Sequence, residues 1–427
     1  MKGNFIVKRE DRERRVVVTG LGIISPLGLE VGRFWDNLIN GKPGVSRIKH
    51  FDTEKIASKI AAQVEGFEPL KYIDFKQAKR MDRFAQFAVA ASSDAMEDSN
   101  LIINSSNGER IGVYIGSGVG GLSTLEKQHE RLLNMGADKV SPFMIPMMIS
   151  NMAATQVSIM SGARGPVSTT TTACAAGSNA IGDAFEIIKR GNAEIMIAGG
   201  SEAAVTPLGM AGFSNMRALS ARNDEPEKAS RPFDRDRDGF VMGEGCGILI
   251  LEELQSALDR GAEIYAEMFG YGLSGEAYHI TALEESGTNV ARCMKNCLDE
   301  GGIDLEEVDH INAHGTSTPL NDTVETTAIK RCFGDYAYDI NICSTKSMIG
   351  HCLGASGAIE AVATVLTVRN DIIPPTINLD NPDEGCDLNY TAKVSQKRVV
   401  NIALSNSMGF GGHNVTLGFK KYLENGR

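Results

Sequence analysis

The chain has 427 residues, of which 42% are hydrophobic and 23% charged, with a formal net charge of −11. That length suits two or three domain-sized units, the composition excludes disordered and fibrous classes, and the acidic balance disfavours general nucleic-acid binding unless a basic patch is local. No run of about 18 apolar residues could span a bilayer, and the charged start MKGNFIVKREDRERR lacks the apolar stretch of a signal peptide, so a cytoplasmic protein without membrane association is expected.

In chain order, strand-like apolar runs alternate with helical patterns: RRVVVTG at 14–20, a helix over 31–39, RIGVYIG at 110–116, a strand running into Cys174, a helix over 178–190, AEIMIAGG at 193–200 and GCGILILEE at 245–253. Beyond about 262 the series restarts with AEIYAEMFGYG, VDHINAHG, DINICSTK, VVNIALSNS and NVTLGFKKY. This alternation reads as α/β with two sheets of similar kind. The expected division is a tail over 1–13, a first half over 14–262 and a second over 263–427. Aligning 178–192 with 356–370 sets Ile181, Ala184, Phe185 and Ile188 opposite Ile359, Val362, Ala363 and Leu366, one amphipathic stripe repeated. In that register Ala173 faces His351 and Cys174 faces Cys352.

Several motifs lead nowhere. The eight cysteines include no CxxC pair, which argues against a disulfide framework or a zinc site; Cys293 and Cys297, four apart on a helix, read as buried packing. GSGVGG at 116–121 fits GxGxxG but lacks a following strand that ends in an acidic residue, so it reads as a turn that allows close approach. DRDRDGFVMGEG at 234–245 begins like a calcium loop, yet its twelfth position is Gly245, and it reads as a charged loop. No metal is expected. The Met-rich stretch 144–160 reads as core packing or subunit interface.

TTTTACAAG at 169–177 runs β-branched residues into a thiol among the smallest side chains, just before the helix over 178–190. Cys174 is therefore expected where a strand turns into a helix, with the helix dipole lowering its pKa from about 8.5. Of the histidines, His50, His129 and His310 read as solvated or structural. His314 in NAHGTSTPLND and His351 in STKSMIGHCLGASGA, five residues after Lys346, lie among small and hydroxyl residues. Cys174, His314, Lys346 and His351 occupy comparable strand-end contexts, where open α/β sheets bind substrate.

TTTTACAAGSNA, PFDRDRDGFVMGEG, NAHGTSTPLND, STKSMIGHCLGASGAIE and SNSMGFGGHN, in that order over about 14–419, resemble the motif series of the decarboxylating β-ketoacyl-acyl carrier protein synthases of the thiolase superfamily, most closely type II of fatty acid synthesis. The resemblance implies a thiolase-like five-layered αβαβα fold built from two duplicated halves, a homodimer, and elongation of an acyl chain by two carbons through decarboxylative condensation. It makes Cys174 the residue acylated by acyl carrier protein, with the amides of Cys174 and Phe410 as oxyanion hole, His314 and His351 on the malonyl thioester carbonyl, and Lys346 with Glu360 as a supporting pair. Thr316 and Thr318 match pantetheine contacts, Val119, Phe213 and Phe410 match the acyl pocket, and Met144 matches the region where that pocket meets the dimer partner. Acyl- and malonyl-carrier proteins, acidic themselves, would dock on Lys76, Lys79, Arg80 and Arg83 of FKQAKRMDRF with Lys139 and Arg217. No cofactor is implied beyond the phosphopantetheine arm that the carrier brings.

Two histidines separate the chain from initiating synthases, which pair one histidine with an asparagine, and from thiolases, which use a second catalytic cysteine. Cys352 reads as structural. Specialised polyketide or polyene ketosynthases share these motifs and stay open as an alternative. An inactive chain-length partner lacks the nucleophile, and Cys174 argues against it. YHITALEESG at 278–287 starts like a family loop and then departs from it, which bears on acyl preference.

Overall fold

The computed structural model describes residues 14–423, so the expected tail over 1–13 lies outside the described residues. Five strands, β1 (Val16–Ile24), β2 (Ile111–Gly116), β3 (Val167–Ser168), β4 (Ile195–Glu202) and β5 (Gly245–Glu253), form a sheet in the order β3-β2-β4-β5-β1. Five more, β6 (Ala266–Gly275), β7 (His310–Asn312), β8 (Asn341–Cys343), β9 (Ile402–Gly409) and β10 (His413–Lys420), form the second in the order β6-β10-β9-β7-β8. Each sheet runs first, fifth, fourth, second, third in its own half. The two join where β1 and β6 pair antiparallel, Val16 opposite Met268 and Val18 opposite Ala266. Most of these strands are covered on both faces, so they read as continuous apolar runs; β1 is buried at every position.

The helices that complete the layers are α1 (Arg83–Asp98), α2 (Met152–Ser161), α3 (Ala176–Lys189), α4 (Thr288–Gly301), α5 (Pro319–Phe333) and α6 (Ser356–Asn370). Phe84, Phe87 and Ala91 of α1 cover the outer face of the first sheet against Val113 and Ile250. Val290, Met294 and Leu298 of α4 cover the outer face of the second against Ile311 and Leu404. Between the sheets lie α3 and α6, with Ile181, Phe185, Ile359 and Val362 in one core with Leu249 of β5 and Leu417 of β10. The result is the expected five-layered thiolase-like fold from two duplicated halves. No helix among the described residues is long and apolar enough to cross a membrane.

Two expectations need correction. The threonine run does not form a strand: β3 stops at Ser168, and 169–172 leave the sheet, with Thr170 O accepting from Ser117 N at 3.2 Å. The repeat holds, but its register differs by two residues. One 3-10 turn, Ala173–Ala175, opens α3 and another, Leu353–Ala355, opens α6, and each begins with a left-handed residue, Ala173 at φ 51° and Leu353 at φ 47°. Cys174 therefore corresponds to Gly354, not Cys352, and Gly177 to Gly357. The cause is that α6 is buried from Ser356 through Val368, so its apolar pattern carries no phase that could fix an alignment.

Candidate active site

Cys174 is the middle residue of the turn that opens α3. Gly409, the last residue of β9, presses on that turn: a Cβ there would lie 2.5 Å from Thr172 O and 3.4 Å from Cys174 N. A glycine is needed for the approach, and it brings Phe410 next to the cysteine. The backbone amides of Phe410 and of Cys174 itself both address the sulfur. The position at the helix start is not the whole of the thiol's environment. Cys174 is 7% exposed within an apolar cluster that includes Met210, Phe240 and Leu353, and this burial pushes the thiol up to about 12 against the opposing pull of Lys346 and the two amides.

His314 follows β7, and its backbone N–H donates to Glu325 Oε1 at 2.8 Å while that of Gly315 donates to Oε2 at 2.8 Å, so one carboxylate of α5 fixes the loop. His351 is anchored by its own N–H to Val241 O at 2.7 Å and by Nδ1, which lies 2.8 Å from Ser356 Oγ. With Ser356 as donor, the imidazole proton sits on Nε2. The two rings meet edge to face, 5.3 Å between centroids at 87°. Burial first, then the charge of Lys346, holds both imidazoles well below the usual histidine range, so both are neutral at neutral pH and each offers an N–H. Lys346 is ion-paired to Glu360 in the interior behind them, and burial pushes Glu360 up to about 7 against the pull of Lys346.

Cys174, His314 and His351 line one cavity of about 390 Å³. Phe213 and Phe410, with ring centroids 6.4 Å apart, give it an apolar side. Thr316 and Thr318, joined hydroxyl to hydroxyl at 2.9 Å, give it a polar one. Arg217, exposed and left-handed at φ 55°, also lines it. Val119 and Met144 do not line this cavity. Val119 is 40% exposed, and Met144 heads the helix Met144–Met148. Lys76, Lys79 and Arg80 are exposed around the short helix Phe75–Ala78, with Lys79 Nζ 4.0 Å from the Phe75 ring centroid and Arg80 stacked at 4.3 Å on Phe143. Lys139 is exposed beside Asp138 at 2.8 Å. Arg83, with its side chain 38% exposed, is ion-paired to Glu244 at 3.0 Å and donates to Val64 O at 2.9 Å.

Two groups went unnoticed in the sequence. Glu202, fully buried at the end of β4, accepts from Ser117 Oγ at 2.9 Å and from the amides of Gly118 at 2.7 Å, Gly120 at 3.2 Å and, from the other half, Gly354 at 3.2 Å. GSGVGG is thus an anion cradle for the protein's own carboxylate. The signal available was a glycine turn with no ribose-binding acid to go with it. The charged loop is anchored from within: Asp234 is fully buried and paired with Arg231 at 2.9 Å, while Arg235, Asp236 and Asp238 are exposed. Arg231 N donates to Ser317 Oγ at 3.0 Å and Arg237 Nε to Thr318 O at 3.0 Å, which fixes the Thr316 to Thr318 loop. No group of three or more His, Cys, Asp or Glu among the described residues is arranged to hold a metal ion. Among the described residues Asn312 Oδ1, Glu360 Oε2 and Ser405 Oγ are buried oxygens without hydrogen-bond partners.

Residues 13–257 match the family described as Beta-ketoacyl synthase, N-terminal domain, and residues 265–380 match its C-terminal domain. The chain is 56% identical to 3-oxoacyl-(acyl-carrier-protein) synthase 2 of Synechocystis sp., with 96% of this chain and 99% of that one covered. It is 51% identical to the enzyme of the same name from Coxiella burnetii, covering 95% and 98%. Among solved structures it superposes at TM-score 0.88, with 38% identity and 96% and 100% coverage, on a chain of a type II polyketide acyl-carrier protein in complex with its ketosynthase bound to the hexaketide.

Proposed function

Because the chain belongs to the β-ketoacyl synthase family, we propose that Cys174, His314 and His351 divide the two half-reactions of a condensing enzyme between them. The chain is an acyltransferase of fatty acid biosynthesis, a 3-oxoacyl-(acyl-carrier-protein) synthase of the second type, and acyl carrier protein is its partner. The observation that carries the residue assignment is one cavity holding a buried thiol under two amides, opposite two neutral imidazoles.

In the first half-reaction the Cys174 sulfur attacks the thioester carbonyl of acyl carrier protein, and the amides of Cys174 and Phe410 hold the oxyanion until the pantetheine thiol leaves. The thiol is protonated at rest, and in the transfer its proton ends on the departing pantetheine sulfur, which leaves as the thiol. In the second, the carbonyl oxygen of malonyl carrier protein lies against the N–H groups of His314 and His351. As the carboxylate leaves as CO2 its electron pair becomes an enolate, which the two donors stabilise. The enolate carbon attacks the acyl-Cys174 carbonyl, and collapse of the adduct releases a 3-oxoacyl chain two carbons longer and frees Cys174. Lys346 supplies positive potential to each of these anions, and Glu360 holds it in place.

The partner arm passes Thr316 and Thr318, and the acyl chain lies on the side of Phe213 and Phe410. Lys76, Lys79, Arg80, Lys139 and Arg217 supply the local positive charge that an acidic carrier needs on an acidic enzyme. The exposed Ile145, Ile149, Ile159 and Met160, next to the open edge strand β3, support a homodimer that closes this apolar face, with Met144 and Val119 completing the acyl pocket there. The enzyme works on soluble carrier protein in the cytoplasm. The greater identity to the fatty acid synthases than to the polyketide ketosynthase favours fatty chains. The test is mass spectrometry of the protein with acyl carrier protein charged with a medium-chain acyl group, followed by malonyl carrier protein. Acyl-Cys174 and then a product two carbons longer are expected; no acylation from any acyl donor overturns the assignment in favour of an inactive partner.

A further inference from the structure

The turn that carries Cys174 begins with a strained residue, Ala173 at φ 51°, a conformation costly for any side chain with a Cβ. Gly409 supports the turn from one side. On the other side runs a chain of side chains. Thr172 Oγ1 donates to Asn179 Oδ1 at 2.6 Å, Asn179 Nδ2 donates to the Tyr271 hydroxyl at 2.7 Å, and that hydroxyl donates to Asp183 Oδ1 at 3.1 Å. Asn179 and Asp183 are one turn apart on α3, whereas Tyr271 belongs to β6 of the other half. The tyrosine is itself fixed. Its ring lies over Gly182, where a Cβ would come within 2.1 Å of it, and its backbone N–H donates at 2.8 Å to Glu300, which pairs with Lys189 at 2.6 Å.

We propose that Asn179 and Tyr271 are positioning residues for acylation: they hold the Thr172 side chain, and through it Ala173 and the Cys174 sulfur, against the Phe410 amide. The second half of the molecule thereby sets the aim of the nucleophile in the first. The histidines are held by other groups, Glu325, Val241 and Ser356, so the influence is confined to one half-reaction. This inference rests on Cys174 being the acylated residue.

The experiment compares full-length Thr172→Val, Thr172→Ser, Asn179→Ala and Tyr271→Phe with the parent enzyme and with Cys174→Ala, in single-turnover acylation by acyl carrier protein and in CO2 release from malonyl carrier protein. Thr172→Val, Asn179→Ala and Tyr271→Phe slow acylation at saturating carrier roughly three- to tenfold, the scale of one lost hydrogen bond, with KM and CO2 release unchanged. Thr172→Ser, which keeps the hydroxyl, restores the parent rate. Asn179→Ala combined with Tyr271→Phe is no slower than Asn179→Ala, since the chain is already cut. Parent rates in Thr172→Val and Asn179→Ala, or acylation and CO2 release falling together, overturn the positioning role. Acyl transfer that persists in Cys174→Ala overturns the nucleophile assignment itself, and this inference with it.

Discussion

The turns Ala173–Ala175 and Leu353–Ala355 are built alike, each a single 3-10 turn entered through a left-handed residue and leading into one of the two helices between the sheets. What they carry differs. The first presents Cys174 to the cavity; at the equivalent place the second has Gly354, whose missing side chain is occupied space. A Cβ there would lie 2.3 Å from Gly118 N and 2.7 Å from Glu202 Oε2. The glycine loop of the first half thus fills the room that a second nucleophile would need, and the side chain brought to the cavity beside this turn is His351, just ahead of it. Duplication supplied two similar helix entries at one cavity, and packing between the halves determined which could carry a reactive side chain.

The sharpest way to break this comparison is to remove the side chain that distinguishes the turns. Cys174→Ala should lower acyl transfer by more than about a thousandfold, as loss of a nucleophile does. Adding Gly354→Cys to it should restore nothing, measured as acyl-enzyme by mass spectrometry, because the new side chain meets backbone instead of substrate. A rescued acyl-enzyme would show the two turns to be interchangeable. Next in size, His351→Ala or His314→Ala should each cost condensation on the order of a hundred- to a thousandfold, the range for one oxyanion donor, while acylation of Cys174 continues. Equal losses in both half-reactions would mean that the histidines serve the first turn as well.

A smaller effect tests the packing half of the comparison. Gly354→Ala should destabilise the fold by about 1–3 kcal/mol, the usual cost of forcing extra volume into a filled site, read as a lower denaturant midpoint. The alanine equivalent at the first turn, Cys174→Ala, removes volume from an apolar cluster and should keep the slope of the transition unchanged. If Gly354→Ala is neutral, the loop at 117–120 is free to move and does not bar a second nucleophile.

Most of the fold was legible because burial on both sheet faces makes a strand a plain apolar run, as in VVVTGLGII and ILILEE. The residues that share the cavity with Cys174 were legible because His314 and His351 stand among side chains too small or too polar to be core. What escaped depends on pairs far apart in sequence. Arg83 reads as an unpaired surface charge until its partner Glu244, 161 residues away, is in view. Glu202 looks like an ordinary strand-end acid until loop 117–120 and Gly354 fold over it. The thiol's environment escaped for the same reason, since Met210, Phe240 and Leu353 pack in one apolar cluster with Cys174 and none is its neighbour in the chain. Local sequence predicts the dipole; only the assembled cluster shows the burial that opposes it. This has a kinetic signature. With the thiol pushed up to about 12, its thiolate fraction rises about tenfold per pH unit throughout the alkaline range, so alkylation of Cys174 by iodoacetamide should climb from pH about 7 to about 10 without levelling near the ordinary value of about 8.5. A plateau at or below that value would mean that the helix and Lys346 prevail.

The smallest expected effect asks whether the two turns share one entrance. The cavity joins both, with Thr316, Thr318 and Arg217 on its wall, and the basic side chains available to a carrier, Lys76, Lys79 and Arg80, all belong to the first half. On the proposed docking, acyl and malonyl carriers use the same patch in turn, although their cargo reacts on different turns. Exposed charge pairs contribute about 0.2–1 kcal/mol each, so reversing Lys79 and Arg80 to glutamate should raise KM roughly three- to tenfold, with kcat unchanged. The rise should be equal for acyl and malonyl carriers, shrink as salt shortens the screening length below about 8 Å, and be absent for small acyl thioesters that bring no protein surface. A rise for one carrier alone would assign each turn its own docking face, and the duplication would then extend from the catalytic frame to the route by which substrates arrive.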